Sequence, residues 1–172
     1  SGESQHEMLK KLELGYDAFR DLMRACREAK IEFLSTPFDA ESLRFLALEL
    51  GLPTVKLGSG ELTNGPFLVE AASLGRNVIL STGMGTMEEV AEALGALAFG
   101  YTCGDARPSR RDFGEALKSP EGRDAVRKRV TLLHCTSEYP APVNESNLRA
   151  IDTLRNAFGT EVGFSDHTPG IA

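Results

Sequence analysis

Five short apolar runs, at 31–34, 54–57, 78–80, 130–133 and 162–164, constrain this 172-residue chain more than any other feature. Each ends in Ser, Thr, Gly, His, Lys or Glu, and the first four lead on to segments with helical spacing. Asp39 is an N-cap for a helix across 40–50, which Gly51 stops. Further helices are predicted over about 66–74, closed by Gly75, and over about 87–98, opened by a Thr86/Glu89 capping box. Another runs over about 146–158, before Gly159. Strand–helix alternation with short links means parallel strands joined by right-handed crossovers. An open doubly wound sheet and part of a (β/α)₈ barrel both fit. The open sheet collects ligand at one switch point, whereas the barrel collects polar groups at the C-terminal ends of many strands. Polar residues at all five ends favour the barrel. A whole barrel has ~250 residues and eight strands. The prediction is therefore an α/β fold, a partial TIM barrel of about five parallel strands with crossover helices.

Residues 6–30 read as one helix, with Leu9, Leu12, Phe19, Leu22, Met23 and Cys26 at helical intervals and Gly15 weakening its middle. Residues 101–128, with Gly104, Pro108, Pro120, Gly122 and many charges, read as a polar excursion holding short helices near 109–118 and 121–128. No linker divides the chain, so residues 1–172 are expected to form a single partial-barrel domain. The net charge of −6 argues against non-specific nucleic-acid binding. No apolar run approaches the ~20 residues that span a bilayer. Three cysteines without CxxC spacing and no charged-then-apolar leader predict reduced thiols and a cytoplasmic protein.

Chemistry concentrates where the runs end. Lys56 lies inside the second run, where a buried lysine is costly unless paired. Gly58-Ser59-Gly60 follows it, and such a turn lets backbone N–H groups approach an anion closely. The stretch is either the polar end of a buried strand that receives an anion or an edge strand with a Gly-Ser turn. Thr36, Ser59, Ser81 and Ser165 are short donors at matching positions, able to converge on the same anion. Glu61 is a candidate acid or base, or else a solvated loop carboxylate. His167 shares a strand face with Ser165, which places it for a metal or an oxyanion if that face looks into the barrel mouth. His134 and Cys135 invite a zinc reading, but their spacing matches no short ligand motif, and a packed thiol beside a hydrogen-bonded histidine reads better. Tyr139-Pro140 either presents an aromatic hydroxyl over the mouth or shapes the loop.

With these stretches assembled, the sequence resembles the sialic acid synthase family, N-acetylneuraminate synthase with its legionaminic and pseudaminic acid relatives. FLSTPFD at 33–39, KLGSGELTN at 56–64, VILSTGM at 78–84, LLHCTSEYPAP at 132–142, NLRAI at 147–151 and GFSDHTPG at 163–170 carry the resemblance, in order, from about residue 7 onward. It implies a TIM-barrel enzyme that condenses phosphoenolpyruvate with an N-acetylated amino sugar, such as N-acetylmannosamine, and releases phosphate. A divalent metal, manganese or magnesium, assists, and the full-length protein is a homodimer. Lys56, Ser59, Thr36, Ser81 and Ser165 fall where the family holds phosphoenolpyruvate, and Glu61 where it has an acid/base carboxylate. His167 falls on a metal ligand and Tyr139 near the sugar. Ser137 stands where the family carries Asn or Ser. The resemblance also implies that the family's first two strands, its last strand with a second metal-binding histidine, and its antifreeze-like domain lie outside residues 1–172. The isolated chain is then expected to be inactive. Another phosphoenolpyruvate-condensing barrel enzyme, or a non-catalytic anion-binding barrel fragment, remains an alternative.

Overall fold

The computed structural model describes residues 4–103 and 108–170, so Gly104 of the excursion lies outside the described residues. The chain gathers into two compact units that divide between Phe33 and Leu34.

The first unit is helical. α1 spans Gln5–Leu12 and opens on a Ser4/Glu7 capping box; α2 spans Tyr16–Glu28. Gly15, in extended conformation, is the N-cap of α2, so the helix expected across 6–30 breaks where glycine weakened it. Asp17–Arg20 and Asp21–Arg24 ion pairs at 2.9 and 2.8 Å line α2. Phe19 meets Phe33 edge-to-face, with centroids 6.5 Å apart.

The second unit is an α/β layer structure. α3 (Ala40–Arg44) runs on into a π-helical turn, Phe45–Glu49. β1 (Thr54–Leu57), α4 (Gly65–Ser73), β2 (Asn77–Ser81) and α5 (Met87–Cys103) follow. α6 (Arg110–Lys118), α7 (Pro120–Arg129), β3 (Val130–Cys135), α8 (Arg149–Phe158) and β4 (Glu161–Ser165) complete the order. The strands pair in parallel as β1-β2-β3-β4, each beside its predecessor. A doubly wound sheet reverses direction at its switch point; an order that never reverses is the winding of a barrel. The described residues thus hold four strands where the sequence predicts about five. Residues 31–37 carry no ladder. That run is short, is interrupted by Glu32, and leads into Pro37, which has no N–H to donate.

Side chains alternate along each strand, and one set is dry. Val55 and Leu57, Val78 and Leu80, Val130 and Leu132, and Val162 share one core with residues of α4, α5, α7 and α8. Each buried aliphatic contributes about 1.5–3 kcal/mol. α5 is the hub: Val90 and the whole run from Ala93 to Gly100 are buried. A helix this apolar on every side needs cover on every side, and α4, α6 and α7 all pack on it. The excursion after α5 therefore roofs that helix. Ser119 joins the roof's two helices, its hydroxyl donating to Ala116 O and accepting from Gly122 N at 2.8 and 3.0 Å. On α5, a Cβ at Gly100 would stand 2.5 Å from Val69 O and 2.7 Å from Ala72 Cβ.

Caps start the helices where the sequence places them. Thr86 and Glu89 exchange hydrogen bonds of 2.8 and 3.2 Å at the start of α5. Asp39 accepts from Ser42 N at 2.7 Å and from the Ser42 hydroxyl at 2.9 Å. These donors, the backbone N–H foremost, hold the Asp39 carboxyl below its ordinary range.

Two outcomes follow for urea unfolding of the full-length protein. Gly100→Ala pushes a methyl into α4 backbone and lowers stability by about 1–3 kcal/mol. Gly114→Ala, where nothing lies within 4 Å of the new Cβ, raises stability by about 0.5–1 kcal/mol. Equal effects at the two sites contradict the packing of α5. Because the Asp39 pKa is lowered on folding, its contribution is present above the ordinary carboxylate range and lost as pH falls through the lowered value. Asp39→Asn keeps a cap but removes that acid-side slope, measured as unfolding midpoint against pH.

Candidate active site

The strand faces opposite the core carry the chemistry. Val55 and Leu57 are buried among helices, so Thr54 and Lys56 emerge on the other side. The same alternation puts Ile79 and Ser81 of β2, Thr131, Leu133 and Cys135 of β3, and Gly163 and Ser165 of β4 on that side. Register fixes their order: Lys56 is level with Ile79, Ser81 with Leu133, Leu133 with Gly163, and Cys135 with Ser165. Lys56, Ser81 and Ser165 therefore lie on one sheet face near its C-terminal edge. Lys56 is half-buried and Ser81 buried.

Ser59 opens a 3₁₀ turn, Ser59–Glu61, just past β1. Gly83, just past β2, ties that turn to β3: a Cβ there would stand 3.4 Å from Ser59 Oγ and 2.9 Å from Cys135 Sγ. A side chain at Gly83 would press on Cys135 Sγ and touch Ser59 Oγ. Glu61 is half-buried and accepts from Asn64 Nδ2 at 2.7 Å. The Asn64 amide oxygen accepts from Phe67 N at 3.3 Å, capping α4. The cap sets which way the amide points, so its NH₂ faces the carboxylate. Thr36 is half-buried in the irregular segment before Pro37, and Ser137 is exposed in the loop after β3.

His167 lies beyond β4. Its Nδ1 bonds the Thr136 carbonyl and its Nε2 lies 3.2 Å from Ser165 Oγ. Tyr139 stacks on the ring, centroids 4.1 Å apart. Next to it, the Thr168 backbone N–H and then its hydroxyl hold the Asp166 carboxyl below its ordinary range. His134 and Cys135 diverge. Cys135 faces the Ser165 side, whereas His134 shares the helix side with Phe164, on which it stacks at 5.7 Å, and bonds Ser146 O at 2.7 Å. Adjacent residues of a strand cannot chelate one ion from opposite faces.

Among the described residues no group of three or more His, Cys, Asp or Glu could hold a metal ion. One imidazole nitrogen with a hydroxyl beside it fits one corner of a manganese or magnesium site. A cavity of 580 Å³ lies between α4, α5 and the start of α6, and one of 360 Å³ lies between the first turns of α5 and α8 and reaches Thr82, His134 and Cys135 at the strand ends. Sequence reasoning overlooked Asn64, Gly83 and the inward aspect of Cys135. Counting alternate residues from Val130 would have found the last.

The pattern of the NeuB family matches residues 1–172. The chain is 45% identical over 169 residues to the N,N'-diacetyllegionaminic acid synthase of Campylobacter jejuni, covering 98% of this chain and 43% of that protein. It is 29% identical over 171 residues to the N-acetylneuraminate-9-phosphate synthase of Drosophila melanogaster, covering 99% of this chain and 39% of that protein. The chain thus spans less than half the length of these curated relatives. It superimposes on a crystal structure of an N-acetylneuraminic acid synthetase from Leptospira borgpetersenii with a TM-score of 0.74 at 31% identity, over 99% of this chain and 51% of that one. On the spore coat polysaccharide biosynthesis protein SpsE of Bacillus subtilis the TM-score is 0.71 at 29% identity, over 91% and 37%. A family pattern that matches all of residues 1–172, with 45% identity to one relative over 98% of this chain, makes this protein a member of the NeuB family.

Proposed function

We propose that the protein of which this chain is part is a nonulosonic acid synthase, joining phosphoenolpyruvate to an N-acetylated amino sugar with release of phosphate. The observation that carries the proposal is the single sheet face holding Lys56 of β1, Ser81 of β2 and Ser165 of β4, in a family whose relatives include sugar-acid synthases. Phosphoenolpyruvate is a compact trianion. A point-charge ammonium from Lys56 and short hydroxyl donors from Ser59, Ser81, Ser165 and Thr36 match its phosphate and carboxylate groups.

Each group has a task it can perform from where it sits. Lys56 reaches the anion from within β1, where partial burial lowers the screening of its charge. Glu61, held by Asn64, moves a proton to or from a reacting oxygen. Ser137 and Tyr139 reach the sugar from the loop after β3. His167 is the ligand this chain lends to a divalent cation, manganese or magnesium. Such a cation supplies Lewis acidity to the open-chain sugar aldehyde. The remaining ligands belong to parts of the protein beyond these residues, and the working enzyme is a homodimer in the cytoplasm.

Kinetics of the full-length protein, read as phosphate released with N-acetylmannosamine and with other amino sugars, test the reading. Lys56→Met raises the KM for phosphoenolpyruvate on the order of 10- to 100-fold, the worth of one charge-assisted hydrogen bond, and changes the KM for the sugar far less. An unchanged KM for phosphoenolpyruvate refutes the anion site. In calorimetry, His167→Ala weakens manganese binding to the full-length protein. Binding as tight as in the unsubstituted protein refutes the metal role.

A further inference from the structure

We propose that residues 136–141 are a positioning clamp for His167, fixing its neutral imidazole as the Nδ1–H tautomer so that Nε2 keeps its lone pair for a ligand. The inference rests on His167 serving the mouth as a ligand and goes further, to what prepares it.

Three contacts from one segment carry it, each on a different part of the residue. A carbonyl oxygen only accepts, so the bond between His167 Nδ1 and the Thr136 carbonyl requires the proton on Nδ1. Nε2 is then an acceptor, and the Ser165 hydroxyl 3.2 Å away donates to it. That bond is long for a hydroxyl donor, so Ser165 is readily displaced by a better partner. Tyr139 lies against the ring face, planes 29° apart. It restricts rotation of the imidazole, which would carry Nδ1 away from the carbonyl. The Ala141 N–H donates to the His167 carbonyl at 2.8 Å and anchors the backbone. Ring edge, ring face and main chain are thus held from one side, and the edge bearing Nε2 is left to Ser165. Histidine ligands commonly have their second nitrogen committed in this way. Tyr139 acts here as a positioning residue, through His167.

The same reasoning assigns His134, in β3, the opposite tautomer. His134 Nε2 bonds the Ser146 carbonyl at 2.7 Å, so its proton sits on Nε2. One spectrum can therefore test both assignments.

The test is long-range proton–nitrogen correlation on the full-length protein labelled at histidine nitrogens, without divalent metal, at a pH where both rings are neutral. The expected spectrum shows a protonated Nδ1 for His167 and a protonated Nε2 for His134, with His167→Gln supplying the assignment. Tyr139→Phe keeps the wild-type pattern. Tyr139→Ala shifts His167 toward averaged values of both tautomers and leaves His134 unmoved, which also reports an intact fold. A protonated Nε2 at His167 in the wild type overturns the clamp whatever the variants do. So does a Tyr139→Ala spectrum identical to wild type. The ligand role fails separately: manganese that leaves the His167 signals sharp refutes coordination and leaves the tautomer assignment standing.

Discussion

Parallel pairing of short strands in sequence order is the constraint on which the rest of the second unit depends. Once β1, β2, β3 and β4 lie side by side in that order, alternation assigns every strand residue to one of two faces. The aliphatic set goes to the helices and holds the sheet. The remaining positions are left to chemistry, and the strand direction gathers the polar ones at one edge. Lys56 can afford its place because its neighbours Val55 and Leu57 are buried completely. The cost of a half-buried ammonium is offset within the same four residues.

The second dependence is on backbone contact. Gly83 lets Ser59, Cys135 and the end of β2 meet, and the Thr82 N–H donates to Leu133 O at 2.9 Å, continuing the ladder past the strand. The loops after β3 and β4 are tied to each other by the Thr136–His167 and Ala141–His167 bonds. The candidate site thus draws its shape from strand-end hydrogen bonds, while α4 to α8 supply the stiffness behind it.

Much of this was legible in the sequence, for physical reasons. Apolar runs bounded by capping residues located the four strands, and the Thr86/Glu89 and Asp39 caps were readable because they are local. Ser165 and His167, expected to share a strand face, meet instead across the end of β4, which stops at Ser165 and leaves the histidine to the loop beyond. The strand expected at 31–34 was not legible as coil, since ladder pairing depends on a neighbour that composition does not reveal. The extent of α5, predicted to end near 98 and reaching Cys103, followed from its roof of α6 and α7, a tertiary effect. The Tyr139–His167 stack and the Asn64–Glu61 bond join residues whose geometry depends on loop conformation, and no periodicity announces them.

The sheet face opposite the core is the face proposed to receive the anion. The most direct measurement is a crystal structure of the full-length protein with phosphoenolpyruvate. The phosphate or carboxylate of the ligand is expected within hydrogen-bond distance of Lys56 Nζ and Ser81 Oγ, on the side of Ser165. Phosphoenolpyruvate seated instead among the helices, in the cavity between α4, α5 and α6, would contradict it.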